Sequence, residues 1–102
     1  MLIDFSKMQE TVLPQFKGGE KEMHAHMFKD TQNLIMHSRL VPGASIGMHR
    51  HDTSSEIIYI LSGTGLVLFE DGQETLAPGA CHYCPKGCCH SLVNNGAEDL
   101  VF

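Results

Sequence analysis

The sequence has 102 residues, 42% of them apolar, with seven Lys and Arg against twelve Asp and Glu and a formal net charge of −5. That length suits one domain, 1–102, with a modest core that pairing with a second copy would enlarge. The acidic balance and the scattered basic residues argue against a nucleic-acid or anionic-membrane partner, and no apolar run reaches the roughly 20 residues that a membrane-spanning helix needs.

Met1 to Phe5 has no basic region followed by an apolar stretch, so no secretory signal is read and a cytoplasmic location is expected. The entry, about 1–30, is mixed. Asp4 to Gln9 suits a short helical turn capped by Asp4, and Pro14 with Gly18-Gly19 makes the next stretch extended and loop-rich. Glu20 to Phe28 reads as a strand, Asp30 to Asn33 as a turn, and Leu34 to Val41 as a strand stopped by Pro42-Gly43. Gly47 to His51 is the next strand. Glu56 to Leu61, rich in β-branched and aromatic residues, is another. Gly65 to Phe69 and Gln73 to Leu76 flank Asp71-Gly72, a strong hairpin signal. After Pro78-Gly79, the segments Ala80–Cys84, His90–Val93 and Leu100–Phe102 are short strands, the last reading as cut short. Many short strands with turn signals between them predict an all-β sandwich or barrel.

Two runs carry the chemistry. Successive strand residues face opposite ways, so His49 and His51 point in one direction. A turn at Asp52 to Ser55 brings Glu56 back on the neighbouring strand, and His90 can complete the set from a distant one. Three neutral imidazoles and a carboxylate suit a borderline divalent ion such as iron, manganese, nickel or zinc. Four protein ligands leave positions open in a five- or six-coordinate ion, which metal-assisted chemistry requires.

The spacing names a family. Gly43, five residues, His49-Arg50-His51, four residues, Glu56, six residues and Gly63 resemble the first cupin motif (43–63). Gly79, five residues, Pro85-Lys86-Gly87, two residues, His90, three residues and Asn94 resemble the second (79–94). The resemblance implies a double-stranded β-helix, the cupin jelly-roll barrel, with one metal per subunit on His49, His51, Glu56 and His90. It also implies a homodimer, often built by exchanging N-terminal strands. It names no reaction, because one fold hosts many.

The remaining residues divide by strand parity. His37 and Arg39 share a face opposite Leu34, Met36, Ser38 and Leu40; pointing inward they would contact an anionic substrate near the metal, and pointing outward, the favoured arrangement, they are surface residues. One of His82 and Tyr83 should face the barrel, as an acid, base or donor. Cys88 is a third candidate for chemistry, against a plain thiol role. Cys81 and Cys84, three apart, face opposite ways, which weakens a redox or zinc reading. All four cysteines fall between 81 and 89, so reduced thiols are expected rather than a disulfide framework. His24-Ala25-His26 repeats the His-X-His spacing without a following Glu and suits a solvated strand. The four glycines of the motifs suit turns, and Asn94 suits a turn brace. The pocket is expected to be apolar, lined by residues such as Ile58, Ile60, Leu66 or Leu92, with no second carboxylate beside the metal. Ile57, Tyr59 and Leu61 form a further apolar face that needs cover. Two functions stand: a metal-dependent enzyme on a small polar metabolite, of oxygenase, isomerase, decarboxylase or lyase type, or a non-catalytic metal-assisted binding or sensor module.

Overall fold

Ten strands form between the turn signals, several of them where apolar and polar residues alternate. The computed structural model describes residues 1–102. The strands are β1 (Thr11–Pro14), β2 (Glu22–Lys29), β3 (Leu34–Leu40), β4 (Ser45–Arg50), β5 (Glu56–Tyr59), β6 (Gly65–Phe69), β7 (Gly72–Leu76), β8 (Cys81–Cys84), β9 (Cys89–Val93) and β10 (Leu100–Val101). Of these, β1 is the one that the sequence pattern did not single out. A 3₁₀ turn at Phe5–Lys7 precedes it, with the Asp4 side chain accepting from the Ser6 N–H at 3.0 Å. The hairpin between β2 and β3 closes on Asp30, whose carboxylate accepts from the Gln32 and Asn33 N–H groups at 2.8 and 2.6 Å.

One sheet runs β1-β2-β3-β10 and a second runs β4-β9-β6-β7, with β5 and β8 paired to each other, all antiparallel. The Val101 carbonyl accepts from both Leu61 and Ser62, at 2.8 and 3.3 Å. Two residues against one is a bulge, and it ties the β5–β8 pair to the first sheet at β10. The inner faces meet in one core, with Met23, Leu40, Ile58, Ile60, Val67, Leu76, Leu92 and Leu100 all buried. This is the jelly-roll double-stranded β-helix.

Inward and outward positions decide what can line a site. Ile58, Ile60 and Leu92 point inward but are sealed into the core. Leu66 is a correction: it pairs with Val93 and Thr75 on the outer face, while its neighbour Val67 is the inward residue. His37 and Arg39 face outward, opposite buried Ser38 and Leu40, which settles a choice that parity left open. Asn94, fully buried, braces the far end of the barrel by donating to the Leu40 and Glu98 carbonyls, both at 2.8 Å, and accepting from Gly96 at 2.9 Å. On the outer face of the β5–β8 pair Ile57, Tyr59, Leu61 and Tyr83 stand 51–67% exposed. No helix is long and apolar enough to cross a membrane.

Candidate metal centre

A defect in β4 aims the first histidines. Ile46 pairs with Leu92 and His49 with His90, so three steps on β4 match two on β9. On an unbroken strand Ile46 and His49 would face opposite ways, and the extra residue brings both inward. Gly47 sits in this bulge because a side chain there would strike the Lys17 carbonyl. His51, two residues on, keeps the same face. Glu56 shares the inner face of β5 with Ile58, and His90 that of β9 with Leu92. The four therefore meet at one end of the barrel, where β4 ends and β5 and β9 begin. Their metal-binding atoms all lie within 4.8 Å of one another.

The three Nε2 atoms form a near-equilateral triangle. The His49–His51, His51–His90 and His90–His49 separations are 3.1, 3.0 and 3.2 Å. Glu56 Oε2 stands 3.2 Å from His51 and 2.7 Å from His90. His49 Nδ1 lies 2.7 Å from the Gly47 carbonyl, which can only accept, so this nitrogen carries the proton and Nε2 offers a bare lone pair. Burial lowers the His49 pKa below its ordinary value, against the Gly47 contact, and keeps the ring neutral. Burial would raise the Glu56 carboxyl, but the neighbouring imidazoles, His90 first and then His51 and His49, outweigh it and hold the group below its ordinary value.

This donor set fits a metal. For nitrogen ligands about 2.0–2.1 Å from an ion, neighbouring nitrogens stand about 3.0 Å apart in an octahedral site and about 3.4 Å in a tetrahedral one. The observed edges match the former, as does a set of imidazoles and carboxylate without thiolate.

A cavity of about 370 Å³ is lined in part by Phe69, Glu74, His82, Tyr83, Cys84 and Cys88; none of the four clustered residues lines it, and His82, in contact with His90, joins it to the centre. Its walls are more polar than the expected apolar lining. Glu74, an exposed carboxylate that the sequence reading did not single out, lines this cavity with Glu70 and Asp71 and pairs with buried Val67, and it stands outside the ligand group. Period-two alternation back from Leu76 was the signal that could have found it. His82 faces the barrel interior, with its Nε2 3.0 Å from His90 Nδ1. Burial, then the nearby His90, lowers its pKa and keeps it neutral. Tyr83 points outward and reaches only the cavity rim. Cys88 is exposed in the turn before β9 and stands outside the ligand group. Burial pushes the Cys84 thiol up, away from the reactive thiolate. All four cysteines are free, with Cys81 exposed and Cys84 buried.

The second His-X-His does other work. His24 meets Glu10 at 3.0 Å and Glu22 at 3.1 Å, which engages both ring nitrogens and leaves neither for a metal. His26 Nδ1 meets the Met8 carbonyl at 3.1 Å, and Arg39 bridges Glu10 and Asp99, each at 3.2 Å. These contacts hold the N-terminal arm against the first sheet.

The chain matches the cupin domain family over residues 36–102. An oxalate-binding protein of Thermotoga maritima is 30% identical over 109 residues, covering 100% of this chain and 89% of that protein. A beta-alanine degradation protein of Pseudomonas aeruginosa is 28% identical over 71 residues, covering 68% of this chain and 75% of that protein. The crystal structure of a predicted oxalate decarboxylase from Thermotoga maritima superposes with a TM-score of 0.93 at 27% identity, covering 100% of this chain and 94% of that one.

Proposed function

Because the chain belongs to the cupin domain family, we propose that it is a metal-dependent enzyme acting on a small polar metabolite. His49, His51, Glu56 and His90 would hold one divalent ion, drawn from iron, manganese, nickel or zinc. The observation that carries this reading is the convergence of three Nε2 atoms and a carboxylate oxygen at ligand spacing. The near-octahedral edges favour an ion with open positions over a closed structural site. When bound, such an ion supplies a Lewis acid toward an oxygen ligand.

The chain's own residues narrow the chemistry. Three carboxylates line the cavity, Glu70, Asp71 and Glu74; Glu74 has no side-chain hydrogen-bond partner and acts on His82, so it is our candidate to take or give a proton. His82 is committed to His90 and is less free for that task. The oxalate-binding relative supports a small carboxylate as the ligand class. The test is turnover of oxalate and related small carboxylates by metal-loaded protein, under air and under nitrogen. Turnover that disappears in His49→Ala with circular dichroism unchanged supports the enzyme.

A second reading, a non-catalytic binding module, is favoured by the same relative, whose name claims binding alone. Carboxylate affinity without turnover in either atmosphere would select it. A homodimer belongs to both readings: the exposed row of Ile57, Tyr59, Leu61 and Tyr83 is apolar surface that a second copy would cover.

A further inference from the structure

The three imidazoles at the centre are supported in three different ways. His49 is fixed by a backbone carbonyl, that of Gly47. His51 contacts only the other members of the centre through its ring. His90 leans on another side chain: its Nδ1 lies 3.0 Å from His82 Nε2, with the ring centroids 5.2 Å apart and the planes 29° from parallel. Both rings are buried, His90 at 2% and His82 at 9% exposure. The bond is therefore largely shielded by the protein, and its direction sets which nitrogen of His90 is free.

We propose that His82 is a positioning residue for the metal centre, its Nε2 accepting the Nδ1–H of His90 so that the His90 Nε2 lone pair is aimed at the ion. This rests on the metal reading above. A contact between two ring nitrogens needs one donor and one acceptor, and two arrangements are available. If His82 donates, His90 carries its proton on Nε2 and points it at Glu56, 2.7 Å away, which blocks ligation. If His82 accepts, Nε2 of His90 is bare. A residue that can accept at that position therefore decides whether His90 is competent as a ligand. Outer partners of this kind contribute about 10- to 100-fold to metal affinity. His82 also lines the cavity that Glu74 opens into, so it stands where cavity and centre meet.

The experiment uses zinc as the probe and compares wild type, His82→Phe and His82→Gln. Phenylalanine keeps a flat ring without an acceptor, and glutamine restores a carbonyl oxygen near the Nε2 position. Chelator competition should show His82→Phe weakened by about 10- to 100-fold, with His82→Gln recovering most of the loss and circular dichroism alike in all three. Imidazole nitrogen NMR of the zinc-loaded wild type should show His90 protonated at Nδ1 and His82 unprotonated at Nε2, a readout that stands even if a variant does not fold. Equal weakening in both variants would reveal packing alone and overturn the proposal, as would undiminished affinity in His82→Phe or a proton on His82 Nε2. Wild type that takes up no zinc sinks the metal reading, and this proposal with it.

Discussion

Asn94 and His51 make opposite predictions from similar motif positions. Asn94 is fully buried and satisfies two carbonyls and one N–H. Asn94→Ala would strand all three in the interior, so a loss of about 2–4 kcal/mol is expected in urea unfolding; a variant as stable as wild type would show that solvent replaces the side chain. His51 sits at the open end of the barrel and bonds only within the centre. His51→Ala should lower metal affinity at least about tenfold while leaving the unfolding midpoint of the metal-free protein nearly unchanged, since the core does not pack on it. Full occupancy in that variant would remove His51 from the ligand set. The residues of the centre were legible in sequence because period-two parity and motif spacing agree on them. Glu74 was not, because it sits on an exposed strand whose inward face is announced by Leu76 alone. Leu66 was misplaced because all three residues of Leu66-Val67-Leu68 are apolar, and alternation is invisible in such a run.

At the scale of elements, the bulge in β4 is the feature on which the centre turns. Its position was hidden in sequence: the alternation that aligns His49 with His51 also puts Ile46 on the opposite face, and the structure has all three inward. The turns, by contrast, were legible because Pro-Gly and Asp-Gly demand particular backbone angles; Gly87, at φ 89°, closes the turn that leads to His90. Gly47→Ala should shift the bulge away from the Lys17 carbonyl and lose the contact that fixes His49. A lowered thermal midpoint together with about tenfold weaker metal binding is expected; normal binding would show that the bulge tolerates a side chain.

The N-terminal arm gives a pH dependence. The Arg39 hydrogen bond holds the Glu10 carboxyl below its ordinary value of 4.5. A depressed folded pKa means that the contribution is complete above 4.5 and fades as pH drops through the lower folded value. Proteolysis of the arm should be faster in Glu10→Gln than in wild type at neutral pH, with the difference closing in acid. No gap at neutral pH would assign the arm's hold to Phe5 beside His37 and to the His26–Met8 contact instead, and a gap that stays constant with pH would show that the Glu10 charge is not what matters.

For the whole molecule, the barrel and its family were readable from strand spacing and two motifs, whereas the proposed pairing of two copies rests on an outer apolar face that sequence can only flag. Light scattering at micromolar concentration should give a dimer, and Tyr59→Lys should shift it toward monomer with the fold intact; a wild-type monomer would refute the pairing. The claim on which everything else depends is the ion. Elemental mass spectrometry of untagged protein, purified under nitrogen, tests it most directly. The account predicts close to one equivalent of a divalent transition metal per chain, falling sharply in His51→Ala. Protein that carries no such metal, and takes up none when manganese, iron, nickel or zinc is added, would contradict it.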